Sequence, residues 1–120
     1  MSRVFIAASQ SVQRFAIRLL LMDLDTEVVG EAADWSTTLS QASICRTDRL
    51  VVEWNLLPNP ASVALEKARE ACPDALIVAL TGHKDAGQQT ALSAGADAVI
   101  NKAVTLAHLI KGLRAAAERT

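Results

Sequence analysis

The chain has 120 residues, 51% hydrophobic and only 3% aromatic, and its 12 basic and 13 acidic residues leave a net charge of −1. That describes one aliphatic-cored domain spanning 1–120, long enough to bury about two thirds of the surface of its unfolded form and so to fold without metal or disulfide staples. The near-neutral balance excludes the basic footprint of an autonomous nucleic-acid binder, no apolar run approaches the ~20 residues that span a bilayer, and two cysteines without a signal peptide fit a reducing cytoplasm.

In chain order, the first strand is Val4-Phe5-Ile6-Ala7-Ala8, an apolar run without alternation, as expected of a strand covered on both faces. Val12, Phe15, Ala16 and Leu19 follow at i, i+3, i+4, i+7 and predict a helix with those residues inward. A strand at Glu27-Val28-Val29-Gly30 precedes a second helix with Trp35, Leu39 and Ala42 inward, and Leu50-Val51-Val52 is the third strand. Asn59-Pro60 predicts a helix start, Asn as cap and Pro in the first turn, followed by a buried stripe of Ala61, Leu65, Ala68 and Cys72. The fourth strand is Ala75 to Leu80. The fourth helix, about Lys84 to Ala94, is weakly encoded: it contains Gly87, Thr90 and Ser93 with Leu92 as its one large apolar residue, and is expected to be short or mobile. Ala98-Val99-Ile100 is the fifth strand, and Thr105 caps a last helix with Leu106, Leu109, Ile110 and Leu113 inward.

Five strands alternating with five helices imply an α/β domain of three layers, α/β/α, with a five-stranded parallel sheet between helices. A functional site then belongs beyond the carboxyl ends of the strands. The residues there are Ala8, Ser9 and Gln10, then Glu53, Trp54 and Asn55, then Thr81 and Gly82, then Asn101 and Lys102. None of them forms a glycine-rich phosphate loop.

From Arg3-Val4-Phe5-Ile6-Ala7 through Asp48 to Glu53, Pro58, Leu80-Thr81-Gly82-His83 and Ala94-Gly95-Ala96-Asp97 to Lys102, the chain resembles the receiver domains of bacterial two-component response regulators. Its first third is most similar to the subfamily that carries a helix-turn-helix DNA-binding domain after the receiver; these 120 residues hold no such domain. The resemblance implies a flavodoxin-like sheet in the order 2-1-3-4-5. It also implies phosphoryl transfer to an aspartate at the end of the third strand, assisted by Mg²⁺ on an acid pair after the first.

In this chain the acid pair falls on Ala8 and Ser9 and the phosphoacceptor on Glu53, with Pro58 one residue late; Thr81 and Lys102 keep the hydroxyl and lysine positions. The aromatic switch position is Val99, and Ala103 stands where a proline often follows the lysine. One carboxylate is a poor shell for Mg²⁺, and a glutamate carries its oxygen a methylene too far for in-line attack. The expectation is a degenerate, non-enzymatic receiver without metal or cofactor. It regulates through a protein partner or homodimer at helix 4, strand 5 and helix 5, with no direct contact to nucleic acid or membrane. Two other readings stay open: a working phosphoacceptor at Glu53, and a small-molecule sensor in which Ser9, Thr81 and Lys102 cradle an anion. Glu53 is expected to pair with Lys102 and to accept a bond from Thr81, as a lock or as a vestige.

Elsewhere, Cys45 and Cys72 are expected as core thiols, His83 and His108 as surface residues without ligand spacing, and Lys111, Arg114 and Arg119 as a solvated face. Trp35 is expected to cap the core. Trp54, beside the pocket mouth, either fills the space of the lost acids or anchors a partner.

Overall fold

The computed structural model describes residues 2–21, 26–82 and 88–101. It holds β1 (Ser2–Ala7), α1 (Ser11–Leu21), β2 (Thr26–Ala32), α2 (Trp35–Ile44), β3 (Arg49–Glu53), a 3-10 turn (Trp54–Leu56), α3 (Ala61–Ala71), β4 (Leu76–Thr81), α4 (Gln88–Ala94) and β5 (Ala98–Asn101). The expected last helix lies outside the described residues, as do Lys102, Ala103, His83, His108, Lys111, Arg114 and Arg119.

All strands pair in parallel, in the order β2-β1-β3-β4-β5. Side chains alternate across the sheet. Phe5, Ala7, Leu50, Val52, Ile77 and Ala79 face a core completed by Ala42 of α2, Ala64, Leu65 and Ala68 of α3, and Ala91 of α4. Val4, Ile6, Val51 and Leu80 face the other way, onto Ile17 and Leu21 of α1. The strands therefore read as unbroken apolar runs because both of their faces are buried. Each fully buried aliphatic or aromatic side chain contributes about 1.5–3 kcal/mol.

The α3 stripe is as expected, with Leu65, Ala68 and Cys72 buried and Ala61 packed against the same core. Trp35 and Leu39 pack on that core too, and the buried Thr38 joins them on the inward face of α2. The α1 face is a correction. Val12 and Phe15 are 77% and 61% exposed, while Ile17 is 6% exposed. The segment Val12–Leu21 is apolar around most of its circumference, so two stripes compete. Arg14 and Arg18, one turn apart, both pair with Glu31 of β2 on the side of the helix that leaves Ile17 inward.

The start of α3 also departs from expectation. Pro60 occupies the N-cap itself, in extended conformation and without a side-chain cap, and its carbonyl accepts the Val63 and Ala64 amides at 3.1 and 3.2 Å. Asp34 is the side chain that caps a helix: its carboxylate accepts the Thr37 amide at 2.7 Å and the Thr37 hydroxyl at 3.0 Å. Those bonds hold the Asp34 carboxyl below its ordinary range.

Cys72 is buried, and burial followed by the nearby Cys45 pushes its thiol up. Cys45 is only half-buried, which corrects its reading as a core thiol. It ends α2 where the chain turns away through Arg46, whose φ is +53°. Arg3 closes this end, giving its guanidinium to the Cys45 carbonyl at 2.8 Å and to the Arg46 carbonyl at 3.2 Å, as suits a cation at a helix carboxyl end. At the opposite edge, Asp97 accepts the Ile77 amide at 2.8 Å and pairs with Arg69 of α3 at 2.9 Å. Burial raises the Asp97 carboxyl, but these two donors outweigh it and hold the group below its ordinary range.

The β1–β2 register slips between Val4 and Phe5: Val4 faces Val28, but Phe5 faces Gly30. Skipping Val29 sets the buried Phe5 ring over a residue with no side chain. A Cβ at Gly30 would stand 2.7 and 2.9 Å from two ring carbons of Phe5. Gly30→Ala is therefore expected to cost about 1–3 kcal/mol by overpacking, measured as a lower urea midpoint with an unchanged m-value; parental stability would refute the close approach.

Candidate functional site

β1 and β3 are neighbours with Ala7 opposite Val52, so the residues following each pair emerge side by side. Ala8 is fully buried and ties to the end of β2 through its amide and the Ala32 carbonyl at 3.0 Å. Ser9 is exposed. Glu53, the last residue of β3, is only 7% exposed, and Thr81, the last of β4, only 3%.

The Ser9 amide donates to Glu53 Oε2 at 3.3 Å, and the Ser9 hydroxyl lies 3.4 and 3.5 Å from the two carboxylate oxygens. The individual bonds are long, but together they give a nearly buried carboxylate the donors that it needs. Arg14 of α1 supports the loop from behind, donating to the Ala8 carbonyl at 2.6 Å and pairing with Glu31 at 3.3 Å. A continuous path of polar contacts runs from β2 through α1 and the β1–α1 loop to Glu53.

Sequence reasoning brings Ser9, Glu53 and Thr81 to one end of the sheet, and the structure does the same. It misses two contacts. The donors of Ser9 are directed at Glu53, a contact that the adjacency of β1 and β3 could have signalled. Arg14 carried no signal, since an arginine on an amphipathic helix reads as solvated. Lys102, the expected partner of Glu53, lies outside the described residues. Val99 sits opposite Ala79 on β5 and packs on the larger core. Trp54 is half-buried against the same core. Leu57, just before Pro58, is buried beyond the 3-10 turn.

The Mg²⁺ site that the resemblance implies does not fit these residues. A hard dication requires several oxygen acceptors. Here a methyl and a donating serine stand in the acid positions, and Glu53 already accepts from that serine. Among the described residues no group of three or more His, Cys, Asp or Glu could hold a metal ion, and no helix is long and apolar enough to cross a membrane.

No protein-family model matches the chain, and no curated protein does. Solved structures do. The receiver domain of AraT, a response regulator from Geobacillus stearothermophilus, is 24% identical over 99% of this chain and 98% of its own, with a TM-score of 0.69. A LuxR-family two-component response regulator from Aurantimonas sp. SI85-9A1 is 25% identical over 96% and 84%, with a TM-score of 0.74. The receiver domain of RcsB from Salmonella enterica serovar Typhimurium is 18% identical over 98% and 88%, with a TM-score of 0.75. The sheet order and these likenesses establish the receiver fold.

Ser9→Asp tests the geometry at the strand ends. Exchanging a donor for a second carboxylate beside Glu53 is expected to lower stability in EDTA by about 1–3 kcal/mol, with recovery on adding Mg²⁺, which would then find two acids to bind. The parent chain is expected to melt at the same temperature with and without Mg²⁺. A Mg²⁺-dependent rise in the parent, or none in the variant, would contradict the site as described.

Proposed function

With the receiver fold as premise, we propose that this chain is an atypical response-regulator receiver, a signalling module that regulates through protein contacts independent of phosphorylation. The observation that carries this reading is the hold of Ser9 on Glu53. In it, Ala8, Ser9, Glu53, Thr81 and Lys102 are a degenerate phosphoacceptor pocket. The carboxylate at the acceptor position is nearly buried and bonded through its oxygens to a donor that replaces an acid. An incoming phosphoryl group would find no acid pair to hold Mg²⁺ beside the acceptor, whose oxygens already accept from Ser9.

Contact-based output also has a surface in support of it. On α4, Leu92 is 37% exposed, and Ile100 on the edge strand β5 is 40% exposed. These residues belong to the face of helix 4 and strand 5, where a homodimer or partner is proposed to bind. Val99 in place of an aromatic residue supports an output that does not depend on a side chain swinging between two positions. Similarity to regulators that carry a DNA-binding output supports transcription control as the setting.

Incubation with a small phosphodonor and Mg²⁺, followed by intact-mass and peptide mapping, tests this reading. No acid-labile mass increase is expected; an addition mapped to Glu53 would overturn it.

A further inference from the structure

At the end of the sheet opposite Glu53, a cavity of about 300 Å³ opens between the carboxyl ends of α2 and α3. One lip is the connection from α2 to β3, with Arg46 and Asp48; the other is the connection from α3 to β4, with Asp74. These three charged residues are exposed, whereas Ala42 and Cys72, which also line the cavity, are buried. It therefore has an apolar floor under a charged rim.

The bonds that fix the first lip leave the rim's charges largely unused. Arg3 gives its guanidinium to the Cys45 and Arg46 carbonyls, the Thr47 hydroxyl donates to the Ala42 carbonyl at 2.9 Å, and one oxygen of Asp48 accepts the Arg3 amide at 2.9 Å. Among the described residues, neither the Arg46 guanidinium nor the Asp74 carboxylate has a hydrogen bond or an ion pair. Arg46 also stands in the left-handed region, with φ +53°, directly after the Cys45 cap, where glycine adopts that conformation without strain. A cationic side chain is kept there against the preference of the backbone, and such departures cluster at ligand sites.

We propose that this cavity binds a free aliphatic α-amino acid, its carboxylate on Arg46, its ammonium on Asp48 and Asp74, and its side chain over Ala42 and Cys72. The fork of a guanidinium matches a carboxylate. Two acids and the carboxyl ends of two helices favour an ammonium. Volume sets the size: small-molecule pockets run from about 300 to 1,000 Å³, so this one suits a single amino acid and is too small for a nucleotide. The ligand bridges the two connections from which β3 and β4 start, the strands that end in Glu53 and Thr81. The proposal goes beyond the contact-based reading and does not depend on whether Glu53 accepts a phosphoryl group.

The test is titration of L-valine into the whole 120-residue chain, followed by ¹⁵N–¹H spectra and by melting temperature. Saturable movement of the Arg46, Thr47 and Asp74 amides is expected, with a rise in melting temperature. Valinamide, which has no carboxylate, and isovalerate, which has no ammonium, should each bind roughly tenfold or more weakly, because each lacks one charge-assisted contact. Arg46→Gly should melt at or above the parental temperature, since glycine relieves the left-handed turn, and yet lose roughly tenfold or more in affinity for valine; Asp74→Asn should lose as much. The proposal is overturned if none of alanine, valine and leucine moves those amides, if valinamide or isovalerate binds as well as valine, or if either variant binds valine as the parent does. Phosphorylation of Glu53 would remove the contact-based reading while leaving valine binding in place. Absent valine binding would remove only the amino-acid site.

Discussion

Parallel pairing of β1 with β3 is the constraint on which the site depends. It brings together Ser9 and Glu53, 44 residues apart in sequence, because the chain leaves both strands at the same end of the sheet. At that meeting point the receiver fold can support two chemistries. Acids there assemble a cation; a serine there supplies hydrogen-bond donors to the neighbouring carboxylate. This chain has the second arrangement, and its charge balance is local: the acids number 13 overall, yet the positions after β1 carry a methyl and a hydroxyl.

Most of the fold was legible because its signals are physically redundant. A strand buried on both faces has no choice but an apolar run, as at Leu50-Val51-Val52, and the α3 stripe of Leu65, Ala68 and Cys72 had no competing face. Where the signal was degenerate, the reading failed. On α1, apolar residues surround the helix, and the stripe that is buried, with Ile17, goes with Arg14 and Arg18 reaching Glu31 on a neighbouring strand, a tertiary contact that periodicity cannot express. The slip that pairs Phe5 with Gly30 was hidden for the same reason. It depends on the volume of one ring above one residue, and a valine was skipped to make the fit.

The site divides along the same line. Its residues were found because the ends of parallel strands are fixed by topology, while its bonds were not, because hydrogen-bond partners depend on where loops turn. Ser9 was assigned to the right place, but its bond to Glu53 was not foreseen. Arg14 was passed over because its role is to hold a backbone carbonyl, which has no sequence signature. Its two contacts join α1 to Glu31 of β2 and to the carbonyl of Ala8, the residue before Ser9.

The measurement that tests this account most directly is the ¹⁵N–¹H spectrum of the parent chain beside that of Glu53→Gln. If Ser9 donates to the carboxylate, neutralising Glu53 moves the Ser9 amide proton upfield and speeds its exchange, with the change confined to the ends of β1 and β3. An unchanged Ser9 resonance would contradict the hold of Ser9 on Glu53, and with it the claim that a donor has taken the place of the metal-binding acid.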